Sequence, residues 1–287
     1  QFDARIVFLA VKHFVNSSVE RRGAGLSANQ AFCKGTECLG IRKTGFIGPH
    51  FVREALADGH AVTLFSRGKG QAQPTPGVGR LRGDRDGQLD ALKGRDWDVV
   101  IDNSGYVPRH VRLTTELLRE RVRHYLFIST VAVYADLSAP GVTEDAPLKV
   151  LADPTVEEVR RDTYGGLKAL CESVVRTDFD GRYTIVRPTY LVGPGDDTDR
   201  FTYWPWRMSQ GGDMLAPGTP DDPIQYLDVR DLARFVIACG FSGHRLQHSP
   251  GVGRAISELV IHRRFVSIDL ARFGWAMPLS LRASLVF

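Results

Sequence analysis

Residues 39–51 read "LGIRKTGFIGPHF". Gly45 and Gly48 have the rhythm of a glycine-rich turn that opens a helix. Upstream, Glu37 to Ile41 has the length and position of a strand. Downstream, Ile47, Phe51 and Ala55 fall at i, i+4 and i+8, with Val52 and Leu56 beside them. That spacing predicts a helix with one apolar stripe. Pro49 lies in its first turn, where a missing N–H costs little. Strand, glycine turn and helix N-terminus form the setting in which backbone N–H groups receive phosphate. Arg42 and Lys43 depart from that setting. They stand where small residues would let the backbone approach a pyrophosphate.

Outward from this stretch, short apolar runs alternate with amphipathic ones. "AVTLF" (61–65), "DVVID" (98–102), "HYLFIS" (124–129) and "YTIVRP" (183–188) are near-continuous apolar runs. Such runs suit strands buried on both faces. "VRLTTELLRERV" (111–122) reads as a second helix. Strand–helix alternation of this kind predicts an α/β fold, a doubly wound parallel sheet with helices on both faces.

The chain has 287 residues, enough for one large domain or a domain with an appended lobe. Its hydrophobic content of 43% and charged content of 24% are those of an ordinary globular protein. A formal net charge of +4 helps to attract phosphate but falls far short of a nucleic-acid-binding signature. Cys33, Cys38, Cys171 and Cys239 are scattered, without the spacing of a zinc knuckle, and read as reduced structural thiols. No metal is expected. No apolar run reaches membrane-spanning length. "RIVFLAV" near the start is too short for a secretory core. A cytoplasmic protein without membrane contact is therefore expected.

The chemistry sits further along. The second strand ends in Ser66-Arg67-Gly68-Lys69. An acidic residue at that point bonds a ribose 2′-hydroxyl and a basic one receives a 2′-phosphate, so this end favours NADP over NAD. A solvated basic turn is the alternative reading. "TYGGLKALCE" places Tyr164 and Lys168 at i and i+4, on one helix face. An ammonium beside a phenol favours phenolate, which suits proton exchange with a substrate oxygen near neutral pH. Thr130 ends the run "HYLFIS", at the edge where open parallel sheets place ligands. Its hydroxyl has two readings, a substrate contact or a turn cap.

With these residues in view, the middle of the chain resembles the extended short-chain dehydrogenase/reductase family, the NAD(P)-dependent epimerase/dehydratase group. "TGFIG" resembles the second half of its glycine motif, and "DVVIDNSGYVP" the segment that passes under the cofactor. "ISTVAVYAD" resembles its active-site hydroxyl motif, and "TEDAPL" the acidic loop before the catalytic helix. "VRPTYLVGPGD" and "IQYLDVRDLA" resemble the segments that lead into and out of the substrate lobe. The match runs in order over residues 37–239.

The resemblance implies a Rossmann domain at 37–190, substrate-lobe elements at 191–240, an atypical N-terminal extension at 1–36 and an atypical C-terminal segment at 241–287. The smaller lobe is then expected to be incomplete. It also implies that Thr130, Tyr164 and Lys168 are catalytic. Thr44, Gly45, Phe46, Ile47, Gly48, Arg67, Lys69, Asp84, Asn103, Ser104, Gly105 and Pro188 would bind the dinucleotide together with Tyr164 and Lys168, Asp84 at the adenine. The expected activity is an NAD(P)-dependent oxidoreductase or epimerase/dehydratase acting on a carbonyl or sugar-nucleotide-like substrate. The alternative is a dinucleotide- or RNA-binding protein of the same fold with little turnover. A small-molecule substrate and a homodimer are the expected partners, and nucleic acid is not.

"GDDTDRFTYWPWRMSQGG" supplies Asp196, Asp197, Asp199, Arg200, Tyr203, Trp204, Trp206 and Arg207 for a substrate pocket. Interior packing is the favoured reading for Trp204 and Trp206. The family pattern is lost upstream of Arg42 and again after Cys239. That coincidence points to a reading-frame or gene-boundary change rather than a natural extension.

Arg42 and Lys43 bring charge to the phosphate loop, but their side chains start at a tight turn. Sterics act at contact distance there, whereas screened charge acts weakly. A side chain held at a glycine-only dihedral costs on the order of 1–3 kcal/mol. Replacing both residues with glycine is expected to tighten NADP binding about tenfold, roughly 1.4 kcal/mol. Isothermal titration of the double variant against the parent checks this. Weaker binding would make the two basic residues phosphate ligands in their own right.

Overall fold

The structure is a computed structural model. It describes residues 37–41, 45–68, 75–139, 141–215, 218–219, 222 and 224–240. Arg42, Lys43, Thr44 and Lys69, and the segments 1–36 and 241–287, lie outside the described residues.

Six parallel strands make the main sheet: β1 (Glu37–Ile41), β2 (Ala61–Ser66), β3 (Val78–Arg82), β4 (Trp97–Asp102), β5 (Val122–Ile128) and β6 (Tyr183–Val186). Their order is β3-β2-β1-β4-β5-β6, the doubly wound Rossmann arrangement. The order reverses between β1 and β4, where Ile41 pairs with Asp102 at the carboxyl ends. Ligands of open α/β sheets bind in the crevice outside that point. The helices are α1 (Gly48–Ala57), α2 (Pro108–Leu118), α3 (Tyr164–Asp178), α4 (Tyr203–Ser209) and α5 (Val229–Gly240). A separate parallel pair, β7 (Tyr190–Val192) and β8 (Tyr226–Asp228), follows β6 and precedes α5.

The continuous apolar runs have the cause expected of them. On β5, Tyr125 and Phe127 join a core shared with Val111 and Leu118 of α2 and with Cys171 and Val175 of α3. Leu126 and Ile128 point the other way, into a core shared with Phe51, Val52 and Ala55 of α1 and with Leu232 and Val236 of α5. Side chains alternate along a strand, so a sheet covered on both faces needs apolar residues at every position.

Some boundaries differ from the sequence expectation. The second helix ends at Leu118 rather than Val122, because Val122 is the first residue of β5 and is buried there. β6 stops at Val186, two residues before Pro188, which has no N–H to give a ladder. β3, β7 and β8 have no apolar run to announce them. β3 is an edge strand whose residues are mostly exposed.

Beneath the crevice lies a buried ion pair. Arg85, from the loop after β3, donates to both oxygens of Asp102 at 2.8 and 2.9 Å. β2 and β1 lie between β3 and β4 in the sheet, so the pair fastens the loop across two strand ends. Asp102 also accepts from the Ser104 N–H at 3.0 Å and the Tyr125 hydroxyl at 2.8 Å. Burial pushes the Asp102 carboxyl up, but Arg85, Ser104 and Tyr125 outweigh it and hold it below the usual range. Removing one partner of a buried pair leaves an uncompensated charge, at about 3–5 kcal/mol. Arg85→Met is expected to destabilise the fold by that amount in urea unfolding. Arg85→Met with Asp102→Asn should recover part of the loss, since no buried charge is then left alone.

Candidate functional site

Thr130, Tyr164 and Lys168 converge at the carboxyl ends of β4 and β5. Thr130 follows β5 and caps a single 3-10 turn, residues 131–133, by accepting from the Ala132 N–H at 3.2 Å. It also acts on the Tyr164 phenol, whose pKa it pulls down. Of the two readings of Thr130, the structure contains the turn cap. Accepting from Ala132 leaves the O–H as a donor.

Tyr164 is the first residue of α3, and Gly165 and Gly166 follow it. A Cβ on Gly165 would collide with the Ala132 carbonyl oxygen, and one on Gly166 with the Leu151 side chain. The missing side chains let the first turn of α3 close on the turn after Thr130. That approach brings the two hydroxyls together.

Lys168, one helical turn on, is buried. Its ammonium donates to Gly105 O at 2.8 Å and Ile128 O at 2.7 Å, and it lies 4.1 Å from the centroid of the Phe127 ring. This corrects one expectation. Lys168 is spent on the strand ends, and nothing ties its charge to the phenol. Burial, with Tyr106 next, raises the Tyr164 pKa above its ordinary value, against the pull of Thr130 and Arg200. Tyr164 is thus held protonated at neutral pH.

The dinucleotide-binding candidates spread along the same edge. Gly45, Phe46 and Ile47 form the turn into α1, which begins at Gly48 without a side-chain cap. Arg67 and Asp84 face each other at 3.9 Å, both partly exposed. Asp84 also accepts from the Asp86 N–H at 3.2 Å. Asn103 is half-buried. Ser104 is buried, and its hydroxyl accepts from Arg85 at 3.1 Å, within the network beneath the crevice. Gly105 offers its carbonyl to Lys168, and the Pro188 carbonyl accepts from the Val131 N–H at 3.1 Å.

The residues present fit a dinucleotide. Among the described residues no side chain caps the N-terminus of α1 and no acid lies in its first turn, which suits phosphate. An ammonium has three donors, and two of those of Lys168 go to carbonyls. The buried Ser129 hydroxyl, just after β5, has no hydrogen-bond partner among the described residues. Buried polar groups are normally paired, so an orphan on this edge marks a place for a ligand.

Sequence reasoning passed over several residues of this region. Ser129 lay hidden beside Thr130 in the same motif. Arg85 lay beside the expected Asp84. Arg187 reaches Glu172 at 3.0 and 2.6 Å and the Tyr134 hydroxyl at 2.9 Å, locking α3 to β6 and to the residue after the turn. A charged residue in an apolar run, as in "TIVRP", was the available signal for Arg187.

The substrate region is more open than expected. α4 buries none of its residues, and Trp206 is 58% exposed rather than packed inside. Trp204 is intermediate. Arg207 turns back on its own loop and donates to Gly211 O at 2.7 Å. Arg200 is held by Thr198 at 2.6 Å and acts electrostatically on Tyr164.

Burial brings the Lys168 pKa down to about 8 from an ordinary 10.5, against the pull of Cys171, Asp102 and Glu172. Between those values the unfolded chain keeps the proton and the folded one sheds it, so stability rises with pH through that window. Denaturant unfolding of the parent and of Lys168→Met, from pH 7 to 10.5, checks this. The parent is expected to gain on the variant above about pH 8. A constant difference would show that the two carbonyls keep the ammonium charged.

Residues 44–209 match the family described as NAD(P)H-binding, more than half of the chain. The chloroplast stem-loop binding protein of 41 kDa b of Arabidopsis thaliana is 28% identical over 207 residues, which are 66% of this chain. This chain spans about half, 51%, of that relative's length. The UDP-N-acetylglucosamine 4-epimerase of Methanobrevibacter ruminantium M1, solved with UDP-N-acetylmuramic acid, superposes with a TM-score of 0.56 at 18% identity, over 71% of this chain and 73% of that one. The Bordetella bronchiseptica enzyme WbmH, solved with NAD+, gives 0.53 at 15% identity, over 70% and 71%. The chain belongs to the NAD(P)H-binding family, and its fold is that of the epimerase/dehydratase branch of the short-chain dehydrogenases/reductases.

Proposed function

We propose that the protein is an NADP-dependent oxidoreductase or epimerase/dehydratase acting on a carbonyl or sugar-nucleotide-like substrate. One observation carries the reading: Thr130, Tyr164 and Lys168 meet at the carboxyl edge of a Rossmann sheet, beside the switch point. A dinucleotide held on this edge would supply or accept the hydride. The Tyr164 phenol, kept protonated by burial, donates its proton to the substrate oxygen in the reducing direction and takes it back in the other. Thr130 holds the phenol and shares the substrate oxygen. Lys168 fixes the floor of the site and offers its third N–H to a ribose hydroxyl. Arg67 lies at the adenosine end and favours a 2′-phosphate, although Asp84 offsets part of its charge.

A second reading is binding of nucleic acid without turnover. The likeness to a stem-loop binding protein favours it. The small formal net charge of +4 opposes it, because phosphate contacts dominate such affinity.

Paired titrations with NADPH and NADH, followed by a panel of carbonyl and sugar-nucleotide substrates, test the proposal. NADPH should bind tighter. Arg67→Ala should weaken NADPH selectively, by the worth of one partly screened phosphate contact, up to about 1.5–3 kcal/mol. Tyr164→Phe should keep cofactor binding and lose turnover about a hundredfold or more. Tighter NADH binding would refute the cofactor assignment, and full turnover in Tyr164→Phe would refute the acid role.

A further inference from the structure

Among the described residues, four groups lie against the Lys168 ammonium. Two are the carbonyl oxygens of Gly105 and Ile128. The third is the Phe127 ring, fully buried in the core. The fourth is the Tyr106 ring, whose centroid lies 5.5 Å from Nζ and which is 37% exposed. The same ring lies across Tyr164, with centroids 6.2 Å apart and planes tilted by 36°. One aromatic side chain therefore covers both groups through which the proposed chemistry runs.

A ribose hydroxyl has to come within about 2.7–3.2 Å of the ammonium to accept from it. The carbonyls belong to strand ends and to the backbone beside them, and Phe127 is packed between α2 and α3. Close-packed groups of that kind do not move aside. Tyr106 borders solvent, where side chains change rotamer freely. It is the member of this shell that can yield.

We infer that Tyr106 is a gate. Its ring covers Lys168 and Tyr164 and swings aside when a nicotinamide ribose reaches Lys168. The inference rests on the dinucleotide reading above. Its cost is the contact between ring face and ammonium, which binding must give up. A wall residue would behave in the opposite way, because the ligand would rest on it and lose affinity without it.

The test is NADPH binding to the full chain, followed by nicotinamide fluorescence, for the parent, Tyr106→Phe and Tyr106→Ala. Fluorine NMR of fluorotyrosine-labelled protein is run alongside, with the Tyr106 signal assigned by its absence in Tyr106→Phe. Tyr106→Phe keeps the ring face and should bind like the parent. Tyr106→Ala should bind on the order of threefold tighter or more. The Tyr106 signal of the parent should move on adding NADPH. Weaker or unchanged binding by Tyr106→Ala, or an unmoved signal on saturation, overturns the gate while leaving the dinucleotide reading intact. No NADPH binding by any variant overturns both. Should Tyr106→Ala fail to fold, the fluorine signal decides alone.

Discussion

The Lys168 ammonium holds the site together. One charge on α3 donates to the backbone after β4 and to the last residue of β5. Three elements distant in sequence are thereby fixed at one point. Burying an ammonium is costly, and this one is made tolerable by its two carbonyls, the Phe127 ring and the carboxylates of Asp102 and Glu172. Asp102 is in turn paired with Arg85, and Glu172 with both Arg187 and Arg176. The interior beneath the site thus holds three buried cations, Arg85, Lys168 and Arg187, about two buried carboxylates, Asp102 and Glu172. Changing one member alone leaves a neighbour exposed to low dielectric without compensation.

That arrangement reassigns the work of the lysine. At i and i+4 from the tyrosine, it reads as a device for lowering the phenol's pKa. In the folded protein its charge is turned to the strand ends, and the phenol is governed by burial and by Thr130. The i, i+4 rule puts two side chains on one face but does not say what each will bond to.

Much of the fold was legible because a doubly wound sheet writes itself into sequence. Strands covered on both faces need unbroken apolar runs, as in "DVVID" and "HYLFI". α1 and α3 carry the periodicity of their packed faces. The elements that escaped notice, β3, β7 and β8, are short or lie at an edge where no such demand operates. The triad was legible as residue types at fixed spacing. The charges beneath it were not, since Arg85 and Arg187 find their partners across 17 and 15 residues, through packing that no local pattern records. Tyr106 escaped for a related reason. Its place over Lys168 depends on the course of the chain after Gly105, and a lone tyrosine in a loop carries no periodicity.

The two glycines after Tyr164 differ in what could ever replace them. Gly166 is confined by the side chain of Leu151. A smaller residue at 151 would make room, so that pair of positions can vary together. Gly165 is confined by the carbonyl oxygen of Ala132. Every amino acid carries that oxygen, so no substitution at 132 relieves the collision. The only escape is to move the backbone of the turn or of the helix, and either movement parts Thr130 from Tyr164. Position 165 is therefore closed to pairwise compensation, and its constraint is written in the main chain alone.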